Sequence, residues 1–300
     1  MTMDLEGWIW VAVLAIIAVV FALLFLVTKF LYFLGMDFSP VLTMQLKIPV
    51  GDIELNAKLL LPRYALNENE IPREPIPLVF FNPGWASTID LIVMKQYAAA
   101  IALGGPYAVL MYDCRGFGKS PGKRKLDAKL FDDVIKVFDF GEKLDGIDPN
   151  RLGFIGISMG GEVALARAYP DKRIKAIVAM CTPHDAKENF TRKPESVGAR
   201  VRLGFLSISG VKGKKIPDDT NQKISPRYVL EINNSALNDR VMIIHTKTDT
   251  VIYPGEFEKN RQTLGLGDDR AIILERGGHA FFHQELSVLA SALRWFKEKL

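Results

Sequence analysis

Arg151-Leu152-Gly153-Phe154-Ile155-Gly156-Ile157-Ser158-Met159-Gly160-Gly161-Glu162 is where the architecture first becomes readable. Residues 151–157 have the length and apolar content of a buried strand, and 160–169 carry a helical pattern, so Ser158 stands at a join of strand and helix. Glycine at 156 and 160 supplies the small neighbours that a sharp turn needs, and G-x-S-x-G in strand, turn, helix order is the pattern that lifts a serine hydroxyl above a sheet. The helix that starts after Ser158 adds a positive dipole end where an oxyanion would form during acyl transfer. The alternative, a purely structural glycine turn, does not account for the strand before it and the helix behind it.

Working outward, the same alternation continues on both sides. Runs at 41–49 and 53–61, joined across Val50-Gly51-Asp52, predict an opening hairpin, and the Pro-, Asn- and Glu-rich stretch 63–77 predicts a surface loop. Strand patterns at 78–81, 107–112, 151–157, 174–180, 241–246 and 271–274 are interleaved with helical ones at 89–103, 128–144, 160–169, 256–264 and 283–300. Such a chain is α/β: a mostly parallel, eight-stranded sheet flanked by helices. Residues 185–238 break the alternation and predict an inserted cap. From 187 to 223 there are nine Lys or Arg against four Asp or Glu, a surplus that suits an anionic substrate, the phosphate surface of a bilayer, or merely a solvated lid.

The first forty residues read differently. Every residue from 8 to 27 is apolar, and a helix of that length rises about 30 Å, the thickness of a bilayer core. Trp8 and Trp10 at one end, with Lys29 and Tyr32 at the other, are types that settle at membrane interfaces. A cleaved signal peptide would have a basic start and a shorter apolar core, whereas this chain begins Met1-Thr2-Met3-Asp4-Leu5-Glu6. A retained, single-pass anchor over residues 1–40, in the bilayer through 8–34, is expected ahead of a body at 41–300. Lys29, Lys47 and Lys58 follow the span and no basic residue precedes it, which puts the body in the cytoplasm.

Composition narrows the functions. A net charge of +4 in 300 residues is mild, and the basic residues are not interleaved with aromatics, so nucleic acid is not an expected partner. The two cysteines, Cys114 and Cys181, fit no zinc or redox spacing and read as reduced thiols. No metal set, phosphate-cradling loop or dinucleotide fingerprint is present, and no cofactor is implied. Nothing in the sequence speaks to oligomeric state.

With Ser158 in its elbow and Asp113-Cys114-Arg115-Gly116-Phe117-Gly118-Lys119-Ser120 matching D-x-R-G-x-G-x-S, the chain from 41 to 300 resembles the α/β-hydrolase superfamily. The resemblance implies a Ser, acid, His triad in that order. Asp249 fits the acid, because 244–252 resembles H-G-x-x-D-x-x-V although Thr246 replaces the usual glycine. Asp239 precedes its strand and fits less well. Of four histidines, His279 lies in Gly277-Gly278-His279-Ala280 after the last strand. His245 sits in a strand, His184 at the cap entrance and His283 one turn further on. The oxyanion donors implied are the N–H of Met159 and that of Trp85 in Asn82-Pro83-Gly84-Trp85, with Trp85 as a mere pocket wall the alternative. Asp113 and Arg115 are expected to brace their loop.

What the resemblance implies is a membrane-anchored serine esterase or monoglyceride lipase-like enzyme, cleaving carboxylic ester or thioester bonds of small-molecule or lipid-like acyl substrates through an acyl-enzyme. Peptidase, amidase or acyltransferase chemistry on the same fold is the alternative, and a silent, membrane-tethered binding scaffold the third reading.

Overall fold

The computed structural model describes residues 5–34, 37–85, 87–194, 196–211, 213–232 and 235–300, and its strands join in one sheet. They are β1 (Val41–Pro49), β2 (Glu54–Pro62), β3 (Ile76–Asn82), β4 (Ala108–Tyr112), β5 (Ile147–Ile157), β6 (Ile174–Met180), β7 (Val241–Thr246) and β8 (Ala271–Leu274), in the order β1-β2-β4-β3-β5-β6-β7-β8. β1 and β2 form the antiparallel hairpin, β2 pairs antiparallel with β4, and every later pairing is parallel. All residues of β3, β4 and β7 are buried, which is why they are apolar runs and not alternating ones, with polar residues only at the ends of β3 (Asn82) and β7 (His245, Thr246): helices cover both faces.

The helices are α1 (Leu5–Leu34), α2 (Ile92–Leu103), α3 (Ala128–Gly141), α4 (Met159–Val163), α5 (Ala186–Thr191), α6 (Val197–Ile208), α7 (Asp218–Ile224), α8 (Pro226–Leu230), α9 (Pro254–Leu264) and α10 (Glu285–Lys299). α2 and α10 touch each other on one face of the sheet; α3 and a π turn at Ala164–Ala168 pack together on the other. α3 shows why. Leu130, Phe131, Val134, Val137 and Phe138 recur on one side, Asp127 caps the start by accepting from Leu130 N–H, and Phe138 meets the rings of Phe80 and Phe154 at 4.9 and 5.8 Å.

Several boundaries differ from the sequence expectation, each for a physical reason. The loop ends two residues early, since Ile76 and Pro77 already belong to β3; the register shifts at Pro77, which has no N–H to give a ladder. The helix expected from 89 begins at Ile92, because the Ile89 N–H donates to the Asp113 carboxylate at 2.9 Å. The last helix begins at Glu285, after His283 takes a left-handed φ of 60°. Residues 185–238, expected from the sequence as an inserted cap, contain α5 to α8.

Contacts divide the chain into two units, Met1–Ser39 and Pro40–Leu300. In the first, Trp10–Val27 is an apolar helical stretch of 18 residues with every side chain exposed, and α1 is long and apolar enough to cross a membrane. The side chains of Trp8, Lys29 and Tyr32, expected at the interfaces, lie outside the described residues.

Candidate active site

β5 ends at Ile157, and Ser158 takes φ 58° and ψ −118°, a strained conformation for an L-residue that persists only where its surroundings enforce it. A Cβ on Gly156 would fall 2.1 Å from the Gly160 carbonyl oxygen, and one on Gly160 would fall 2.0 Å from that of Asn82. Only glycine fits at either position, which is the steric content of the motif. The Ser158 N–H donates to the Met180 carbonyl at 2.8 Å and ties the elbow to the end of β6.

The turn after β3 closes on this elbow. A Cβ on Gly84 would lie 3.2 Å from Ser158 Cβ. Asn82 is fully buried and sets the turn: its Nδ2 donates to the Pro83 carbonyl at 2.9 Å while its Oδ1 accepts from the Tyr112 hydroxyl. Among the described residues the backbone N–H groups of Met159 and Trp85 have no hydrogen-bond partner. Free N–H donors beside a nucleophile are what an oxyanion hole requires. The Trp85 indole is engaged on its other side, where Nε1–H donates to Ser209 Oγ at 3.0 Å and the ring stands edge-on to Phe117 at 4.8 Å.

Asp249 follows β7 and is 4% exposed. Its Oδ1 accepts from the N–H groups of Val251 at 2.8 Å and Ile252 at 3.0 Å, and its Oδ2 lies 2.7 Å from His279 Nδ1. Burial pushes the carboxyl up, yet the His279 imidazole with its hydrogen bond, His245 and the Val251 N–H outweigh that and hold it below the ordinary carboxylate value. A carboxylate so placed fixes Nδ1 as the protonated nitrogen of His279 and leaves Nε2 as the one able to take a proton. The His279 turn is itself pinned. Thr246 Oγ1 donates to the Gly278 carbonyl at 3.0 Å, and the Gly278 N–H donates to Thr248 Oγ1 at 3.0 Å.

The structure thus brings Asp249 and His279 together. Ser158 emerges at the end of β5, on the same edge of the sheet as the β7 and β8 loops, and its hydroxyl has no hydrogen-bond partner among the described residues. The remaining histidines stand elsewhere. His245 is buried, with Nε2 3.1 Å from the Ile252 carbonyl and 3.6 Å from Asp249 Oδ2; burial lowers its affinity for a proton. His184 is buried with Nδ1 3.0 Å from Asn260 Oδ1, and His283 is exposed. Asp239 pairs with Arg270 at 3.5 Å. Asp113 accepts from the N–H groups of Ile89 and Lys119 and from Asn56 Nδ2, while Arg115 grips Asp133 with two hydrogen bonds of 2.8 Å each. Both brace the loop.

Three features carry no sequence signal. Cys181 takes φ 46° after β6, and its Sγ, an Asp249 oxygen and a His279 nitrogen all lie within 4.8 Å of one another; burial holds the thiol protonated. Asp249 and His279 are already joined by their own hydrogen bond, in which the carboxylate accepts. Glu162, four residues after the serine, is fully buried with Oε1 unpartnered, and burial, then Asp185 and Glu256, raise it well above the usual glutamate value. Finally, α6 touches the loop after β7: Arg202 Nη1 donates to Thr250 Oγ1 at 2.8 Å. Beside this contact lies a cavity of about 460 Å³ between α6 and residues 247–254, which Asp249 borders but Ser158 and His279 do not.

Comparison with known proteins gives this geometry a context. A model of the X-Pro dipeptidyl-peptidase (S15) family matches residues 51–238. An acyltransferase, drtE of Aspergillus calidoustus, is 32% identical over 127 residues, covering 39% of this chain and 41% of that protein. A thiohydrolase, aneE of Aspergillus aculeatus, is 28% identical over 148 residues, covering 48% and 46%. The chain therefore spans less than half the length of these curated relatives. Est1E from Butyrivibrio proteoclasticus, solved with ferulic acid bound, superposes with a TM-score of 0.60 at 20% identity, covering 85% of this chain and 98% of Est1E. The sheet and its flanking helices are those of an α/β hydrolase.

Proposed function

The chain belongs to the X-Pro dipeptidyl-peptidase (S15) family, and on that premise we propose that it is a membrane-anchored serine hydrolase that cleaves carboxylic ester or thioester bonds of lipid-like acyl substrates. The observation that carries the reading is the 2.7 Å contact of His279 Nδ1 with the buried Asp249 carboxylate, on the sheet edge where Ser158 is forced into its elbow. In the proposed reaction His279 Nε2 takes the Ser158 proton as Oγ attacks the carbonyl carbon. Asp249 stabilises the imidazolium, and the N–H groups of Met159 and Trp85 receive the oxyanion. The imidazolium then protonates the departing alcohol or thiol. Water, deprotonated by the same nitrogen, releases the acid.

The test is labelling by a fluorophosphonate together with turnover of short and medium acyl esters. Wild type is expected to label and turn over, and Ser158→Ala to do neither. Equal labelling of the two proteins would end the proposal.

Acyl transfer or peptide cleavage is the second reading, supported by the acyltransferase name of one relative and by the peptidase name of the family. An acyl-enzyme can be resolved by an alcohol or amine instead of water, so product analysis with competing acceptors separates transfer from hydrolysis. An X-Pro nitroanilide tests the peptidase.

The anchor is proposed from α1, whose Trp10–Val27 stretch is long and apolar enough to span a bilayer. Residues 1–40 as anchor and 41–300 as a cytoplasmic body, with 185–238 as its cap, complete the proposal. Retention in the membrane after alkaline extraction supports the anchor, and protease resistance of the body in sealed right-side-out vesicles supports the orientation. Release by alkali would remove the anchor.

A further inference from the structure

We propose that Arg202 and the adjoining cavity form a subsite for an anionic group, a carboxylate or a phosphate monoester, carried by an otherwise apolar acyl substrate. The inference rests on the serine hydrolase reading for its link to turnover, but not for the binding itself.

The Arg202 guanidinium is exposed and has no carboxylate partner among the described residues; one of its donors goes to Thr250 Oγ1 at 2.8 Å. A guanidinium offers five N–H donors in a fork that suits carboxylate or phosphate oxygens, so most of its capacity is uncommitted. Its position is specific. Nη1 is 3.7 Å from where a Cβ on Gly278 would lie, so the group stands between the loop of Asp249 and the turn of His279.

The cavity beside it repeats the chemistry. Among its described lining residues are Lys193, Lys247 and Arg192, and Asp249 is the only carboxylate among those described. That carboxylate is committed to His279 and two backbone N–H groups. Lys247 also pairs with Glu275, and Arg192 lies over the Tyr253 ring at 3.3 Å, whereas Lys193 is exposed with no ion pair among the described residues. α6, twelve residues long, begins at the same cavity: Ser196 and Ala199 line it, and the helix start adds partial positive charge. Leu203, Ala199, Val251 and Pro194 supply the apolar share of the wall. A small anion with a hydrocarbon body matches this mixture of basic and apolar lining.

The experiment uses the full chain in detergent micelles and reads binding by calorimetry with adipate, hexyl phosphate and, as the neutral control, 1-hexanol. Both anions are expected to bind, hexanol not to, and added salt to weaken the anions. Arg202→Gln is expected to weaken anion binding by about tenfold or more, with Arg202→Lys restoring part of it. Preference for hexyl phosphate over adipate, or the reverse, identifies which anion the site is built for. No anion binding by wild type, or equal binding by wild type and by an Arg202→Gln, Lys193→Gln double variant, overturns the subsite. Turnover forms the second arm. The ratio of kcat/KM for a 4-nitrophenyl ester of adipate to that for 4-nitrophenyl hexanoate falls about tenfold in Arg202→Gln if the subsite serves specificity, whereas loss of a mere strap lowers both alike. Ser158→Ala keeps anion binding in either case, so anion binding without Ser158-dependent turnover would sink the hydrolase reading and leave the subsite standing.

Discussion

The indole N–H of Trp85 donates to the Ser209 hydroxyl at 3.0 Å, which fastens the turn after β3 to the end of α6. The proposed oxyanion donor is therefore tied to residues just past α6 by one hydrogen bond. Trp85→Phe keeps an aromatic ring against Phe117 but loses the bond, worth about 1 kcal/mol net. It is expected to lower kcat/KM for acyl esters by roughly five- to tenfold. Steady-state kinetics across acyl chain lengths checks this, and unchanged kinetics would show that the tie does not matter.

Asp249→Asn keeps the size of the side chain but removes the charge that selects the Nδ1–H tautomer of His279. Turnover is expected to fall on the order of 10⁴-fold, with the far-ultraviolet circular dichroism spectrum unchanged. A loss of less than about tenfold would remove Asp249 from the role of acid.

Glu162 makes stability depend on pH. Its carboxyl is raised well above 4.5 by burial and by the nearby Asp185 and Glu256. Between the unfolded value and the higher folded one, the unfolded chain releases a proton that the folded protein keeps. Stability from this group is present in full at acid pH and is lost as pH rises, by up to about 1.4 kcal/mol per pH unit. Glu162→Gln removes the dependence, so the variant is expected to gain on wild type as pH goes from 5 to 8. Thermal unfolding at a series of pH values reads it; parallel curves would contradict the assignment.

The Arg115–Asp133 pair is buried, with side chains 8% and 7% exposed. Arg115→Met strands the carboxylate of Asp133 and is expected to cost about 3–5 kcal/mol, whereas adding Asp133→Leu recovers most of that. Urea denaturation of both variants distinguishes the outcomes.

How much of the fold and site is legible in the sequence depends on how local the cause is. β1, β6, β7 and β8 coincide with their sequence runs at both ends, since their apolar character is set by burial in the sheet. The elbow is legible because its steric demand falls on residues next to Ser158. The start of α2 is not, because the Asp113 carboxylate that intercepts the Ile89 N–H lies 24 residues away. Asp249 and His279 can be picked out by their loops, but Cys181 beside them cannot: nothing near it in sequence reports that β6 and β7 end together. Residues 185–238 are the least readable part. Their helices α5, α7 and α8 are only 6, 7 and 5 residues long, too short to display a period.

Cys114 and Cys181 are 4% and 0% exposed, and burial raises the first thiol to about 12 and the second well above the ordinary thiol value. Neither presents a thiolate to solvent, so maleimides and iodoacetamides have no native target on the folded chain. A single cysteine introduced at the exposed Ile208 would then accept a spectroscopic probe alone, giving a reporter on α6 without stripping out the original sulfur atoms.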